Sequence, residues 1–337
     1  MAVRVRIEDV AEVAGVSMKT VSRVLNREPN VREDTRLRVQ SAVDALKYKP
    51  HPSARSLAGH KSFLIALLYD NPSANYLMEI MAGVLAACET EQYNMMMCPL
   101  DFNSPNFMDA VESMIGHSQP DGLILTPPIT DAPELLTRLA ELGLAFASIS
   151  PINQGTCMGV AMNETRAAFD MVQHLAGLGH RRIAHIKGHV AHGASDWRLN
   201  GYCEGLEQAG LKFDPVLVVD GEFSFDSGVR GAERLLALKK RPTAVFAAND
   251  DMAAGVIRVA LERGLRVPED LSVSGFDDTP MSRQIFPALT TVRQPSRDMG
   301  RIAALELLAS IHKREAGRML RVPYTLELRR STGPAPA

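Results

Sequence analysis

The sequence contains few cysteines, few aromatic residues and no long apolar run. Its four cysteines lie far apart among 337 residues and form no CxxC pair. This pattern predicts reduced thiols and argues against a disulfide framework or a cysteine-rich zinc site. Aromatic residues make up only 5% of the chain, but the hydrophobic fraction is 46%. That fraction is typical of a globular protein and excludes a mostly disordered chain.

Two further absences concern membranes and secretion. No apolar stretch approaches the 18 residues that a membrane-spanning helix needs. The basic start, MAVRVR, is not followed by the apolar segment of a secretory signal. We therefore expect a cytoplasmic protein with no membrane partner. The length exceeds what a single core usually covers, which predicts two or three compact units.

The net charge of −2 conceals an uneven distribution of charge along the chain. Residues 1–61 hold 12 lysines and arginines against 7 acidic residues, whereas the remainder holds 25 against 32. A basic segment joined to an acidic body is typical of a nucleic-acid-binding module attached to another domain. Since a basic segment can also be an ordinary solvated surface, charge alone does not decide between these functions.

The basic segment begins with the pattern of two short helices. Gly15 interrupts the first helix because it tolerates positive φ, and Ser17 is a suitable N-cap for a second helix that begins near Met18. Two such helices joined by a glycine-containing turn predict a helix-turn-helix, whose second helix lies in a DNA major groove. The alternative is an ordinary helical hairpin, and the basic charge favours DNA. One face of the first helix carries Ile7, Val10, Ala11 and Ala14.

Two more helical segments follow within the basic part. A third helix is predicted over about 33–46, where Val39, Val43 and Leu46 share one face. Beyond it, Pro52 suits the first turn of a helix and Gly59 suits a C-terminal cap, which leaves room for less than two turns. A helix this short does not form alone in water, so it should form only when something packs on it.

The run IEDVAEVAGVSMKTVSRVLN, followed by T-R-x-x-V, L-x-Y-x-P and A-R-S-L-A-G, resembles the headpiece and hinge helix of LacI/GalR-type transcriptional repressors. Several independent motifs in the right order make this resemblance specific. It implies a DNA-binding headpiece over 1–49 and a hinge helix or linker over 50–61. In that family two hinge helices pair on the operator, and each wedges a leucine into the minor groove. The matching minor-groove positions here are Ala54 and Leu57.

The resemblance also assigns DNA contacts to single residues. Lys19 and Arg23 match base-reading positions and can donate to guanine, whereas Met18, at a third such position, offers only apolar contact. The positions that hold phosphates and set the register are Ser17, Thr20, Asn26 and Tyr48.

Two headpiece positions depart from the family pattern. Positions 6 and 32 commonly carry Ser or Thr helix caps that touch phosphate, and here they are Arg6 and Arg32. An arginine cannot act as an N-cap, but its guanidinium can hold phosphate from the same place. We therefore expect weaker caps and a steeper salt dependence of DNA binding. The alternative is that both arginines are merely solvated.

From Ser62 onward, short apolar runs such as 216–219 alternate with amphipathic helical patterns such as 164–178 and 200–209. The runs lack polar alternation, which is typical of parallel strands that are covered on both faces. Roughly ten such strands predict two doubly wound α/β lobes. Ligands of these sheets bind at the carboxyl ends of the strands, which between two lobes means the cleft.

The resemblance extends over this body, which is similar to the family's periplasmic-binding-protein-like effector-binding and dimerisation domain, here residues 62–337. It implies an N-lobe of about 62–160 plus 293–320, and a C-lobe of about 161–292 plus 321–330. Three crossings between the lobes near 160, 292 and 321 would act as hinges. Segments 71–76 and 289–294 are among those that match the family. The effector-binding positions that it implies are Asn75, Tyr76, Thr126, Ser148, Arg198, Phe223, Asn249 and Asp277.

The chemistry of these positions suits a small polar metabolite such as a sugar. Asp277 can accept hydrogen bonds from hydroxyl groups, Arg198 can donate to neighbouring oxygens, and Phe223 or Tyr76 can cover an apolar sugar face. Structural roles are the alternative, with Asn249 capping a helix and Asp277 bracing a turn.

Other constellations argue against metal or catalytic chemistry. His185, His189 and His192 have metal-like spacing, but the first lies in an apolar strand and the others in the following loop. Either of the latter two is better interpreted as lining the cleft. The chain has no GxxxxGK[ST], GxSxG or helix-opening GxGxxG motif. We expect no enzyme activity and no cofactor.

These observations predict a repressor associated with the nucleoid, which binds pseudo-palindromic operator DNA as a homodimer and responds to a sugar or sugar derivative. Residues 330–337 contain no leucine heptad, so a dimer is expected and not a coiled-coil tetramer. Two alternatives are a solute-binding protein or sugar sensor without DNA binding, and a two-domain α/β enzyme.

Overall fold

A computed structural model describes residues 5–25, 30–48, 61–155, 158–312 and 317–336. The chain divides into two compact units, Met1–Phe63 and Leu64–Ala337. Three residues with predicted DNA contacts, Asn26, Ala54 and Leu57, lie outside the described residues.

The described residues of the first unit form three helices, α1 (Ile7–Ala14), α2 (Met18–Leu25) and α3 (Glu33–Ala45). Gly15 ends α1 in the left-handed conformation, with φ of 64°. The Ser17 hydroxyl accepts a hydrogen bond from the Thr20 N–H at 3.2 Å and caps α2. Both predictions about this turn are confirmed. The buried core of the unit is Val10, Ala11, Ala14, Val21, Val24, Val39 and Ala42.

The second unit consists of two α/β lobes. The elements of its first half are β1 (Leu64–Tyr69), α4 (Ala74–Thr90), β2 (Asn94–Pro99), α5 (Phe107–Ser118), β3 (Gly122–Leu125), α6 (Pro133–Leu142), β4 (Ala145–Ile149), β5 (Gly159–Ala161) and α7 (Glu164–Gly177). Those of its second half are β6 (Ile183–Ile186), α8 (Gly193–Gln208), β7 (Val218–Val219), α9 (Phe225–Leu236), β8 (Ala244–Ala247), α10 (Asp250–Glu262), β9 (Ser272–Asp277), α11 (Met281–Gln284), β10 (Thr290–Arg293), α12 (Ser296–Ile311), β11 (Met319–Arg321) and β12 (Thr325–Glu327).

Each lobe is built on one six-stranded sheet. The first sheet has the order β11-β5-β4-β3-β1-β2 and is parallel throughout. The second has the order β12-β10-β9-β8-β6-β7, in which β12 alone is antiparallel to its neighbour. Central strands such as β3 and β8 are buried along their whole length, as expected for strands covered on both faces. The predicted doubly wound α/β fold is confirmed.

The chain crosses between the lobes three times, after β5, after β10 and after β11. Two local predictions need correction. The helix predicted over 200–209 already begins at Gly193, which places Arg198 inside it. The predicted strand 216–219 is shortened because Pro215–Leu217 forms a 3₁₀ turn whose first N–H is capped by Asp214. No helix within the described ranges is long and apolar enough to cross a membrane.

Candidate functional site

The first candidate site is the exposed face of α2. Val21 and Val24 bury one side of this helix in the core of the first unit. Met18, Lys19 and Arg23 are exposed on the helix, and Met18 leaves 49% of its surface open although it is apolar. An exposed apolar side chain and a cation at the start of a short helix, with a second cation in its last turn, form a surface suited to base edges and the thymine methyl group.

The residues that are predicted to contact phosphate differ from one another in their exposure and in their hydrogen bonds. Ser17 and Thr20 use their hydroxyls on each other, 3.0 Å apart, and Tyr48 is half-buried against the core of the unit. Arg6 and Arg32 occupy N-cap positions, are exposed and make no side-chain capping bond. The prediction that these arginines do not cap their helices is confirmed.

The N-terminus of α1 is capped in another way. The Arg6 N–H donates to the Asp9 carboxylate at 2.7 Å, so an acidic residue of the first turn caps the chain from within the helix. This leaves the Arg6 guanidinium outside the cap. Among the described residues of the first unit, the positions that carry predicted DNA contacts therefore keep their polar ends on its surface, apart from the half-buried Tyr48.

The second candidate site is a small, partly open cavity of about 40 Å³ between the two lobes. Many of its residues follow the carboxyl ends of strands in both sheets, the place where parallel sheets bind ligands. Five of the eight predicted effector-binding residues line it: Tyr76, Arg198, Phe223, Asn249 and Asp277. The other lining residues are Asn71, Ser73, Pro127, Ser150, Glu164, His192, Ala194 and Gln294.

The remaining three predicted residues lie elsewhere. Asn75 donates to the Asp251 carboxylate at 3.0 Å. Thr126 is fully buried and donates to the Leu68 carbonyl at 3.1 Å. Ser148 is fully buried, and its hydroxyl has no hydrogen-bond partner within the part of the chain that the structure describes.

Arg198 lies at the centre of a buried network. Its Nε donates to Glu164 Oε2 at 2.8 Å, and its Nη2 lies 2.8 Å from the same oxygen. Nη1 donates to the Ala248 carbonyl, and Nη2 donates to Gln294 Oε1 at 3.3 Å. The Asp277 carboxylate is 3.7 Å from Nη2. The guanidinium is therefore held mainly by protein oxygens.

Close helix packing brings Arg198 to Glu164. A Cβ on Gly201 of α8 would lie 2.1 Å from the Thr165 carbonyl of α7, so only glycine allows the two backbones to approach this closely. The contact places the first turn of α7 beside the second turn of α8. The Arg198 guanidinium also lies 3.6 Å above the ring of Phe276, the penultimate residue of β9, a cation–π arrangement that fixes its plane.

Asn249 has a structural role as well as a place in the cavity wall. Its Oδ1 accepts from the Met252 N–H at 3.0 Å and caps α10, while its Nδ2 donates to the Phe223 carbonyl at 2.9 Å. The capping alternative raised from the sequence is thus realised. The same bonds hold Phe223 in place, and the Phe223 ring packs 5.3 Å from the ring of His192.

Burial governs the protonation of the cavity wall. It raises the pKa of Asp277 well above its usual range, against the opposing effect of Arg198 and with the help of neighbouring carboxylates. Burial also raises the pKa of Tyr76, which keeps its hydroxyl protonated. The pKa of His192 is lowered to about 3, chiefly by burial, so its imidazole is neutral at physiological pH.

Three residues of the cavity wall have positive φ angles, which residues other than glycine rarely adopt. The φ angles are 49° at Ser150, 58° at Phe223 and 110° at Asp277. Such conformations cost free energy, and they concentrate where a fold presents side chains to a ligand. Their coincidence with one cavity supports a binding role for it.

Sequence reasoning missed Glu164 as a wall residue, since it was interpreted only as the start of a helix. No local sequence pattern identifies its role, because its partner Arg198 lies 34 positions away and meets it only in the folded chain. Gln294 and Ser73 stood inside segments that resemble the family, although neither was singled out. The expectation that His189 or His192 lines the cleft holds for His192.

Comparisons with known proteins cover both units. Residues 6–51 match the family described as bacterial regulatory proteins, lacI family, and residues 172–332 match a periplasmic binding protein-like domain. The catabolite control protein A of Priestia megaterium is 35% identical over 97% of this chain and 99% of its own.

Solved structures give the same result over the whole length. A Lac repressor dimer bound to operator and the anti-inducer ONPF is 29% identical, with a TM-score of 0.80 over 98% of this chain and 99% of that one. A complex of the transcriptional regulator CelR with cellobiose is 30% identical, with a TM-score of 0.75 over 97% of this chain and 100% of that one. These relatives are regulators and not enzymes.

Proposed function

Because this chain belongs to the LacI family of bacterial regulatory proteins, we propose that it is a transcriptional repressor whose DNA binding is controlled by a small metabolite. The first unit binds operator DNA, and the cleft of the second unit binds the metabolite. The observation that carries the proposal is the exposed face of α2, with Met18, Lys19 and Arg23 opposite a buried apolar side.

The DNA site is a pseudo-palindrome read by a homodimer. Two recognition helices related by a twofold axis contact two half-sites of one duplex. The similar Lac repressor is a dimer on its operator, which supports this arrangement. A hinge helix over 50–61 completes the proposal, with Leu57 as the wedge in the minor groove.

The DNA part is tested by selecting duplexes from a random pool with the full chain. The expected result is an inverted repeat. Lys19→Ala or Arg23→Ala should weaken binding to that repeat by about 1–3 kcal/mol and relax specificity at one position of each half-site. The matched control is Arg38→Ala, which removes one charge from an exposed position of α3. A pool with no enriched repeat would favour the alternative, a sensor without DNA binding.

Leu57 is tested on the same selected duplex. Leu57→Ala should weaken binding to the repeat but spare binding to unrelated DNA, because a wedge contributes only where the duplex is kinked. An unchanged affinity for the repeat would show that the wedge assignment is wrong.

The metabolite is proposed to be a sugar or sugar derivative. An aromatic ring at Phe223, a carboxyl at Asp277 and an amide at Asn249 face one small cavity, a combination that suits a hydroxylated ring. The cellobiose complex of the similar CelR regulator supports this class of ligand. Ligand binding needs to favour one lobe arrangement by only a few kcal/mol to change DNA affinity.

The ligand part is tested by titrating the protein with a panel of sugars and following the fluorescence of Trp197, the only tryptophan. Its ring lies beside Gly193, where Ile152 of the other lobe also packs, so it reports on both cleft and lobes. Phe223→Leu should weaken the response. Arg198→Ala is a poor test, because it strands Glu164 as a buried unpaired charge and destabilises the fold.

A further inference from the structure

The positive charge of the cleft is already paired inside the protein. Arg198 is the only lining residue, among those the structure describes, whose side chain carries a permanent positive charge. Glu164 meets its guanidinium at 2.8 Å and Asp277 at 3.7 Å. With the Ala248 carbonyl and Gln294 added, protein oxygens accept from most of its five N–H groups.

The net charge of the wall is zero or negative in every protonation state of Asp277. Arg198 and Glu164 cancel each other, so a protonated Asp277 gives a neutral cavity and an ionised one gives a negative cavity. Asp251 lies in the first turn of α10 and adds negative charge close by, whereas burial raises the pKa of its neighbour Asp250 to about 7, which leaves that carboxyl only partly ionised near neutral pH. Both carboxyl groups oppose the ionisation of Asp277 and contribute to its raised pKa.

Helix N-termini do not reverse this balance. Among the described residues, the helices α4, α7, α8 and α10 begin at lining residues of the cavity, and a helix N-terminus has about half a positive charge. Glu164 opens α7 but is already paired with Arg198, whereas Asp251 lies in the first turn of α10 and accepts hydrogen bonds at the start of α4, and Asp196 lies in the first turn of α8. The partial positive charges of these helix ends are therefore offset by carboxylates other than Glu164.

The groups that remain for a ligand suit hydroxyls. The Ser150 side chain is buried and lines the cavity, and its hydroxyl has no hydrogen-bond partner among the described residues. The neutral imidazole of His192 can donate from one ring nitrogen and accept at the other. Asp277 accepts from hydroxyl groups when ionised. These groups can hydrogen-bond to the hydroxyls of a polyol, and none of them carries a positive charge that would attract an anion.

We infer that Glu164 is a specificity-determining residue: by pairing with Arg198 it excludes anionic ligands such as sugar phosphates and restricts the cleft to uncharged polyhydroxylated compounds. The inference rests on the proposed ligand-binding role of the cleft. It differs from the expectation drawn from the sequence, in which Arg198 was free to donate to ligand oxygens.

The first test compares matched pairs of ligands on the full wild-type chain. Glucose and glucose 6-phosphate, ribose and ribose 5-phosphate, and inorganic phosphate alone are titrated by Trp197 fluorescence and thermal shift. Any response should come from an uncharged member, with its phosphate ester at least about tenfold weaker, and phosphate alone should give none. Tighter binding of an ester, or saturable binding of phosphate, would overturn the inference.

The second test removes the pairing charge. Glu164→Gln keeps the shape and an oxygen acceptor for Arg198 but frees its positive charge. The variant should bind inorganic phosphate or a phosphate ester at least about tenfold more tightly than wild type. Glu262→Gln is the matched control, since Glu262 forms a 2.8 Å pair with Arg258 on the surface, and it should change nothing.

A folded Glu164→Gln variant that gains no anion binding would contradict the inference, and the wild-type comparison of matched ligands decides if this variant does not fold. The proposed function fails separately. An uncharged ligand that binds the cleft but leaves the affinity for the selected duplex unchanged would refute regulation and leave the role of Glu164 intact.

Discussion

The carboxylate of Asp251 accepts a hydrogen bond from the Ser73 hydroxyl, and this bond joins the two lobes across the cleft. Asp251 lies in the first turn of α10 in the second lobe, whereas Ser73 caps α4 in the first lobe. Asn75, predicted from the sequence to bind effector, adds a second bond to the same carboxylate at 3.0 Å. Hydrogen bonds between the two lobes therefore stabilise their closed arrangement.

Removing this bridge should open the cleft. Hydrogen bonds to a charged group contribute about 1.5–3 kcal/mol each, so Asp251→Ala shifts the ligand-free protein toward separated lobes. Small-angle X-ray scattering should record a larger radius of gyration. Asp226→Ala is the control, since Asp226 is an exposed first-turn residue of α9. Identical scattering from wild type and Asp251→Ala would show that the bridge does not hold the lobes.

Arg6→Ser should change stability and DNA binding in opposite directions. A serine N-cap stabilises a helix by about 1 kcal/mol, so thermal unfolding of the headpiece should move to higher temperature. Loss of one phosphate contact should lower the slope of log affinity against log salt by about 0.9. If the slope on DNA does not change, Arg6 is solvated in the complex.

Lower pH should destabilise the protein partly through His192. Its pKa is lowered to about 3 in the folded chain, mainly by burial and then by His189 and Arg198, whereas an unfolded histidine titrates near 6.5. Between about pH 6.5 and pH 3 the unfolded chain binds a proton at this histidine and the folded chain does not. The free energy of unfolding therefore falls as the pH falls through this range.

The variant His192→Asn measures this contribution. Between pH 7.5 and 5.5 it should lose about 1.4 kcal/mol less unfolding free energy than wild type. Urea unfolding at both pH values gives the comparison, and His117→Asn, at an exposed position of α5, is the control. Part of the pH dependence should persist, because burial also lowers the pKa of His185 to about 4. Equal losses in wild type and His192→Asn would contradict the prediction.

Gly188→Ala should disturb the aromatic wall of the cleft. A Cβ at this position would lie 1.9 Å from Cζ of Phe223, and overpacking of this kind costs about 1–3 kcal/mol. Urea unfolding should show that loss, while Gly116→Ala in α5, where a Cβ meets nothing within 4 Å, should show none. The double variant Gly188→Ala/Phe223→Leu should recover stability. Without that recovery, the Phe223 ring is not the obstacle.

Local patterns in the sequence were sufficient for much of the fold. The α1 stripe, the turn at Gly15 and the cap at Ser17 depend on residues within four positions of one another, and all were predicted. The parallel strands were predicted because burial on both faces leaves continuous apolar runs. The boundary of α8 was missed because Gly193 and Ala194 carry no start signal comparable with a Ser or Asp cap.

The sequence by itself determined the class of each unit and five of the wall residues, because these depend on short-range periodicity and on motifs with a specific order. Only the tertiary structure decided how those residues are used. Glu164 pairs with Arg198 across 34 positions, and Asp251 meets Ser73 across 178. Both contacts arise from the packing of separate helices, and no local pattern encodes which buried charges will meet. The charge of the cleft and its closure therefore follow from the fold.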